Sequence, residues 1–118
     1  AIASAAAIAD VVLVEGLAAA PTRILAPIGS HVVAAVARSV GTPVWLAAGV
    51  GRRLPTQYVD AIAERVLGDS AVWDLEVDDL PVELVTPVGS VDGVVDDVSA
   101  ALRPDCPFAP ELLRTGGP

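Results

Sequence analysis

Two runs of β-branched residues bracket one helical repeat, and that succession restricts the fold more than any other feature of the chain. The run VVLVE, residues 11–15, is apolar at consecutive positions and predicts a strand buried within a parallel sheet. Downstream, Ser30 can cap a helix in which Val32, Val33, Val36, Ala37 and Val40 recur at helical spacing until Gly41 stops it. TPVWLAAG, residues 42–49, is then a second buried strand. Parallel strands need a long crossover, and a helix between two such strands supplies it, so the pattern predicts right-handed βαβ units around a parallel sheet.

The rest of the chain extends this plan. Residues 1–9 are small and apolar and predict a helix; residues 16–27, with Gly, two Pro and Thr, predict a loop at the first strand's carboxyl end. Pro55 and Thr56 start a further helix, with Tyr58, Ala61, Ile62 and Val66 on its inner face and Gly68 at its end. Short strands are expected within 71–77 and 81–88, a helix from Ser90 or Asp92 to Leu102, and a short terminal helix over 110–114. The 118 residues fit one domain, with a core of Val, Leu, Ile and Ala because only 3% of the chain is aromatic. No Met is present, and the sequence is expected to be part of a longer protein.

A net charge of −8 argues against nucleic acid or an anionic membrane as partner, since neither polyanion is drawn to such a surface. Between Leu67 and Leu102 there is no cation, and the carboxylates there read as a solvated rim, without the spacing of a calcium loop. One His and one Cys exclude a multi-histidine metal site and an internal disulfide, so no metal is expected and a cytoplasmic, reduced setting is. No apolar run reaches bilayer-spanning length.

Ligands of open α/β sheets sit beyond the carboxyl ends of the strands, which directs attention to the loops after Glu15 and Ala48. Gly29 permits close backbone approach, and the amides of Ser30, His31 and Val32 at a helix start suit a phosphate; an ordinary capped helix gives the same residues. His31 is a candidate acid, base or second phosphate donor, and Glu15 a candidate proton-transferring carboxylate unless an arginine pairs with it. Arg23, Arg52 and Arg53 can close on an anion from either side. The ligand-binding set is therefore Glu15, Arg23, Gly29, Ser30 and His31, with a phosphorylated small molecule as the ligand class. No residue is assigned a catalytic role. Cys106 is expected to pack rather than react, and no cofactor motif is present.

ADVVLVEG followed by PIGSHVVAAVARSVGTPVWLAAG resembles the family that unites translation initiation factor 2B subunits with methylthioribose-phosphate and ribose-bisphosphate isomerases. Asp10, Val11 to Val14, Ile28-Gly29-Ser30, Ala34 to Ala37, Gly41-Thr42-Pro43 and Ala47-Ala48 carry the likeness. It implies an α/β, Rossmann-like three-layer domain with a mainly parallel sheet, the C-terminal part of a longer chain, often dimerised. In the isomerases an upstream Cys and the Asp of a Gly-Ala-Asp act on a sugar phosphate. Here Glu15-Gly16-Leu17 stands at that place, Ala26-Pro27 replaces Asn-Lys, and His31 replaces Tyr, so only Gly29 and Ser30 carry over. The departures favour a non-catalytic binding or regulatory domain. The alternatives are a ribose-phosphate isomerase using Glu15 and His31, and a homo-oligomerisation module without a small ligand.

Overall fold

The computed structural model describes residues 1–68, 71–85, 88–90, 93–95 and 97–113. The two β-branched runs form β1 (Val12–Glu15) and β4 (Val44–Ala47), paired in parallel with Val12 opposite Val44 and Glu15 opposite Ala47. Strand β6 (Val88–Ser90) joins β4 in parallel, and β7 (Gly93–Val95) returns beside β6 antiparallel, giving the order β1-β4-β6-β7. Helix α2 (Ser30–Ser39) makes the crossover between β1 and β4. Its ten residues extend about 15 Å, enough to return the chain along a four-residue strand.

Residues 16–27 are not a loop. They form a hairpin of β2 (Ala18–Ala20) and β3 (Arg23–Pro27), to which β5 (Val77–Leu80) adds on the far side of β3, all antiparallel. Pro21 and Thr22 make the turn, and alternation divides β3 between two cores. Ile24 and Ala26 pack with Ala34 and Ala37 of α2, whereas Leu25 packs with Ala18, Ala20, Val59 and Ala63 on the opposite face. A strand buried on both sides lacks the polar alternation that would reveal it.

This second sheet is the middle of three layers, with α2 on one face and α3 (Thr56–Leu67) on the other. Helix α1 (Ile2–Ile8) packs on α2, and its Ala6 carbonyl accepts a 3.0 Å bond from Thr42 Oγ1. The first sheet is covered by α2 on its inner face, while Leu13 and Trp45 on the other face are 67% and 37% exposed. The helices bury the expected Ala37, Val33, Val36 and Val66 wholly or in part, but leave the expected Val32, Val40 and Ile62 exposed and centre on smaller residues. In α2 the inward line is Ser30, Ala34 and Ala37, with Val32 and Val40 outside; in α3 it is Val59 and Ala63, with Ile62 outside. Small residues face inward because the helix lies close on the sheet, and bulkier valines pack less tightly there.

The acidic segment also departs from expectation. Residues 72–74 and 82–84 are short 3-10 turns, the strand between them is β5, and Ser90 ends β6 instead of opening a helix; Asp92 lies outside the described residues. The last α-helix among the described residues, α4 (Val98–Ala101), is capped by Asp97, whose Oδ1 accepts from the amides of Ser99 and Ala100 at 3.1 and 3.4 Å. Ala101 and Leu102 close the core behind it. A 3-10 turn follows at Pro110–Leu113, close to the terminal helix expected there.

Tyr58 ties the C-terminal segment to α3. Its hydroxyl donates to the Ala109 carbonyl (3.0 Å) and accepts from the Ala109 amide (2.6 Å), and its ring meets Phe108 at 5.5 Å. Tyr58→Phe removes both hydrogen bonds and keeps the ring contact, so a loss of about 1–2 kcal/mol is expected. Hydrogen exchange at the Ala109 amide should accelerate; unchanged protection there would show that the ring contact alone holds the segment.

Candidate functional site

Gly29 is the N-cap of α2 and has φ +95°, a left-handed conformation that a side chain disfavours. Ser30 is therefore the first helical residue, buried, and not the cap the sequence suggests. The cap comes from another strand. Asp78 Oδ2, on β5, accepts from the Gly29 amide at 2.9 Å and from the His31 amide at 3.0 Å. A carboxylate thus takes the His31 amide, one of the three donors expected to face a phosphate, where the helix dipole favours negative charge.

The register explains how the acidic pair Asp78-Asp79 is used. Asp78 lies opposite Ala26 and Asp79 opposite Leu25, so the two side chains leave β5 on opposite faces. Asp78 turns toward α2. Asp79 turns toward α3 and meets Arg23, with Nη2 to Oδ2 at 2.8 Å and Nε to Oδ2 at 3.2 Å. Arg23 Nη1 also reaches Asp60 Oδ1 of α3 at 3.4 Å. The hydrogen bond to Asp79 raises the Arg23 pKa above its ordinary value, with partial burial working against it. A raised arginine pKa contributes stability that is complete below the ordinary arginine range, so this guanidinium adds no pH dependence near neutrality.

The five expected ligand-binding residues do not converge. Gly29, Ser30 and His31 are together at the start of α2. Arg23 stands at the other end of β3, roughly 13 Å from Pro27 at a strand rise of about 3.3 Å per residue, and is held by Asp79 and Asp60. Glu15 is exposed and alternates with buried Val14, so it shares the outer face of β1 with Leu13, away from α2 and His31. The arginines after β4 close on the protein. Arg52 Nη1 donates to the Leu17 carbonyl at 3.3 Å, and buried Arg53 has its Nε 3.7 Å from Asp105 Oδ2. Asp105 also accepts from the Gly51 amide at 2.9 Å, which pins the loop.

The helix start opens on a shallow depression of about 560 Å³, walled by Ile28, Val32 and Val36, with His31 and Asp78 at its polar end. Cys106 is partly buried. Among the described residues no three His, Cys, Asp or Glu gather to hold a metal, and no helix is long and apolar enough to cross a membrane. Asp78 is the residue that sequence reasoning missed. Its signal is the pair VDDL with apolar ends, which fits a strand whose two carboxylates face different partners.

The sequence matches no protein-family model and no curated protein. Its structure does match solved ones. It resembles eIF2B beta from Chaetomium thermophilum with TM-score 0.66 at 18% identity, over 91% of this chain and 33% of that one. It resembles the eIF-2B delta subunit from A. fulgidus with TM-score 0.61 at 18% identity, over 86% and 36%. A 5-methylthioribose 1-phosphate isomerase from Pyrococcus horikoshii OT3 follows with TM-score 0.58 at 22% identity, over 85% and 35%. The chain spans about a third of the length of these structures. The alternation of β1, α2 and β4, extended by the β2-β3-β5 sheet, is thus the α/β, Rossmann-like fold that eIF2B subunits share with methylthioribose-phosphate isomerase.

Proposed function

We propose that this is a non-catalytic regulatory and assembly domain related to eIF2B subunits, acting in the cytoplasm through association with further copies of itself. The observation that carries this reading is the Asp78 carboxylate seated on the Gly29 and His31 amides, where an isomerase or phosphate-binding site needs open donors. The position of Glu15 on the face of β1 away from the one α2 covers supports it, because proton transfer on one sugar requires acid and base within reach of the same carbons. The eIF2B neighbours favour assembly as the kind of partnership, one of them being named as a subunit.

The full chain should leave a ribose phosphate unconverted, sediment as a dimer or larger species, and show no shift at Gly29, Ser30 or His31 when inorganic phosphate is titrated. Turnover that disappears in Glu15→Gln would replace this reading with the isomerase one. Shifts at the three α2 residues would reinstate a phosphorylated small molecule as ligand.

A further inference from the structure

Strand β1 ends its sheet on a row of unused backbone groups. Val12 and Gly16 donate to the Pro43 and Ala47 carbonyls beside β4, both at 2.9 Å, and in a parallel ladder the amides of alternate residues turn the same way. Leu13 and Glu15 therefore direct their amides and carbonyls away from β4, and among the described residues no strand pairs with that edge. The devices that normally guard an edge are missing: residues 11–15 hold neither Pro nor Lys, and no bulge interrupts the register with β4. Val11 and Leu13 are 41% and 67% exposed, and Glu15, exposed beside them, is in no ion pair among the described residues.

We propose that this edge takes up an extended, cationic segment of a different protein, which joins the sheet as a further strand beside β1. The inference is independent of the assembly reading above. The unused amides and carbonyls select a strand over a helix, because a helix spends its own backbone groups internally and has none along its length to return. Glu15 selects the charge: a Lys or Arg beside it and an apolar residue beside Leu13 fit the outer face, and the net charge of −8 favours the approach of a cation. A second copy does not fit. A two-fold axis sets the two β1 strands antiparallel, and residues 10–16 carry Asp10 and Glu15 but no cation, so no register brings an opposite charge to Glu15.

The test uses the full chain and a synthetic heptapeptide of alternating Val and Thr with one Thr replaced by Arg. Saturating peptide should shift the Leu13 and Glu15 amide signals by NMR and slow their hydrogen exchange at least about tenfold, whereas the same peptide methylated on its backbone nitrogens should do neither. Glu15→Lys should weaken the Arg peptide about tenfold and tighten its Glu-for-Arg counterpart, a reversal that apolar contact alone does not produce. Leu13→Pro removes an edge amide and spares the bonds to β4, so it should abolish binding with the circular dichroism spectrum unchanged; if that variant unfolds, the Glu15→Lys reversal decides. No shift at Leu13 or Glu15 with millimolar peptide, binding of the methylated peptide, or equal binding by Glu15→Lys overturns the proposal. So does protection of both amides in the chain without peptide: if constant on dilution, the protein's own residues cover the edge, and if it fades on dilution, a second copy does. Failure on any of these counts leaves the assembly reading to be decided by sedimentation.

Discussion

Leu46→Ala is expected to lower the free energy of unfolding by about 2–5 kcal/mol. Leu46 lies in the central strand β4, between β1 and β6, and is fully buried in the cluster that joins the first sheet to α1, α2 and the β3-β5 sheet. Its neighbours in that cluster are mostly Ala and Val, short side chains that cannot reach into the space left behind, so the cavity stays open. Urea denaturation measures the loss. Leu13→Ala, one strand away on the exposed face, is the control and should cost less than about 1 kcal/mol. Similar values for the two variants would mean that β4 is not the centre of the fold.

Asp78→Ala should cost about 1–3 kcal/mol and change what the domain binds. The substitution removes the acceptor for two amides at the start of α2 and the negative charge facing the helix dipole. The amides are then open to solvent, so inorganic phosphate should stabilise the variant against heat and leave the wild-type chain unaffected. Asp78→Asn, which keeps an oxygen acceptor without the charge, should recover part of the stability. A wild-type chain that responds to phosphate as strongly as Asp78→Ala would show that the carboxylate is readily displaced, and would remove the main support for a non-catalytic reading.

How much of this was legible in the sequence depended on whether a segment's partners were near it in the chain. Val11 to Val14 and residues 42–49 reveal themselves as strands by their consecutive apolar residues, although that pattern predicts burial and the sheet leaves Leu13 and Trp45 exposed on its outer face; the helices on either side of β4 are marked by apolar spacing and the glycines after them. The β2-β3 hairpin was hidden. Ala18–Ala20 has no alternation to display, and Pro21 and Pro27, which read as loop residues, occupy a turn and a strand end. Helical spacing identified α2 and part of its inward side, Val33, Val36 and Ala37, but not Ala34 at its centre, since Ala and Val satisfy the same period and the closeness of the sheet selects the smaller.

The site followed the same division. Gly29, Ser30 and His31 could be placed at a helix start by local pattern, and the backbone donors there follow from helix geometry alone. What fills those donors is a residue 49 positions from Gly29 along the chain, and no local rule could supply it.

The sequence by itself determined the βαβ alternation and the acidic net charge, because each is a property of composition or of neighbours within a few positions. Only the tertiary structure decided that Asp78 caps α2, that Arg23 is taken by Asp79 and Asp60, and that Glu15 lies on the face of β1 away from α2. Those outcomes depend on the register of β5 against β3 and on which face of β1 meets α2, quantities fixed by packing across the whole domain and not by any one segment.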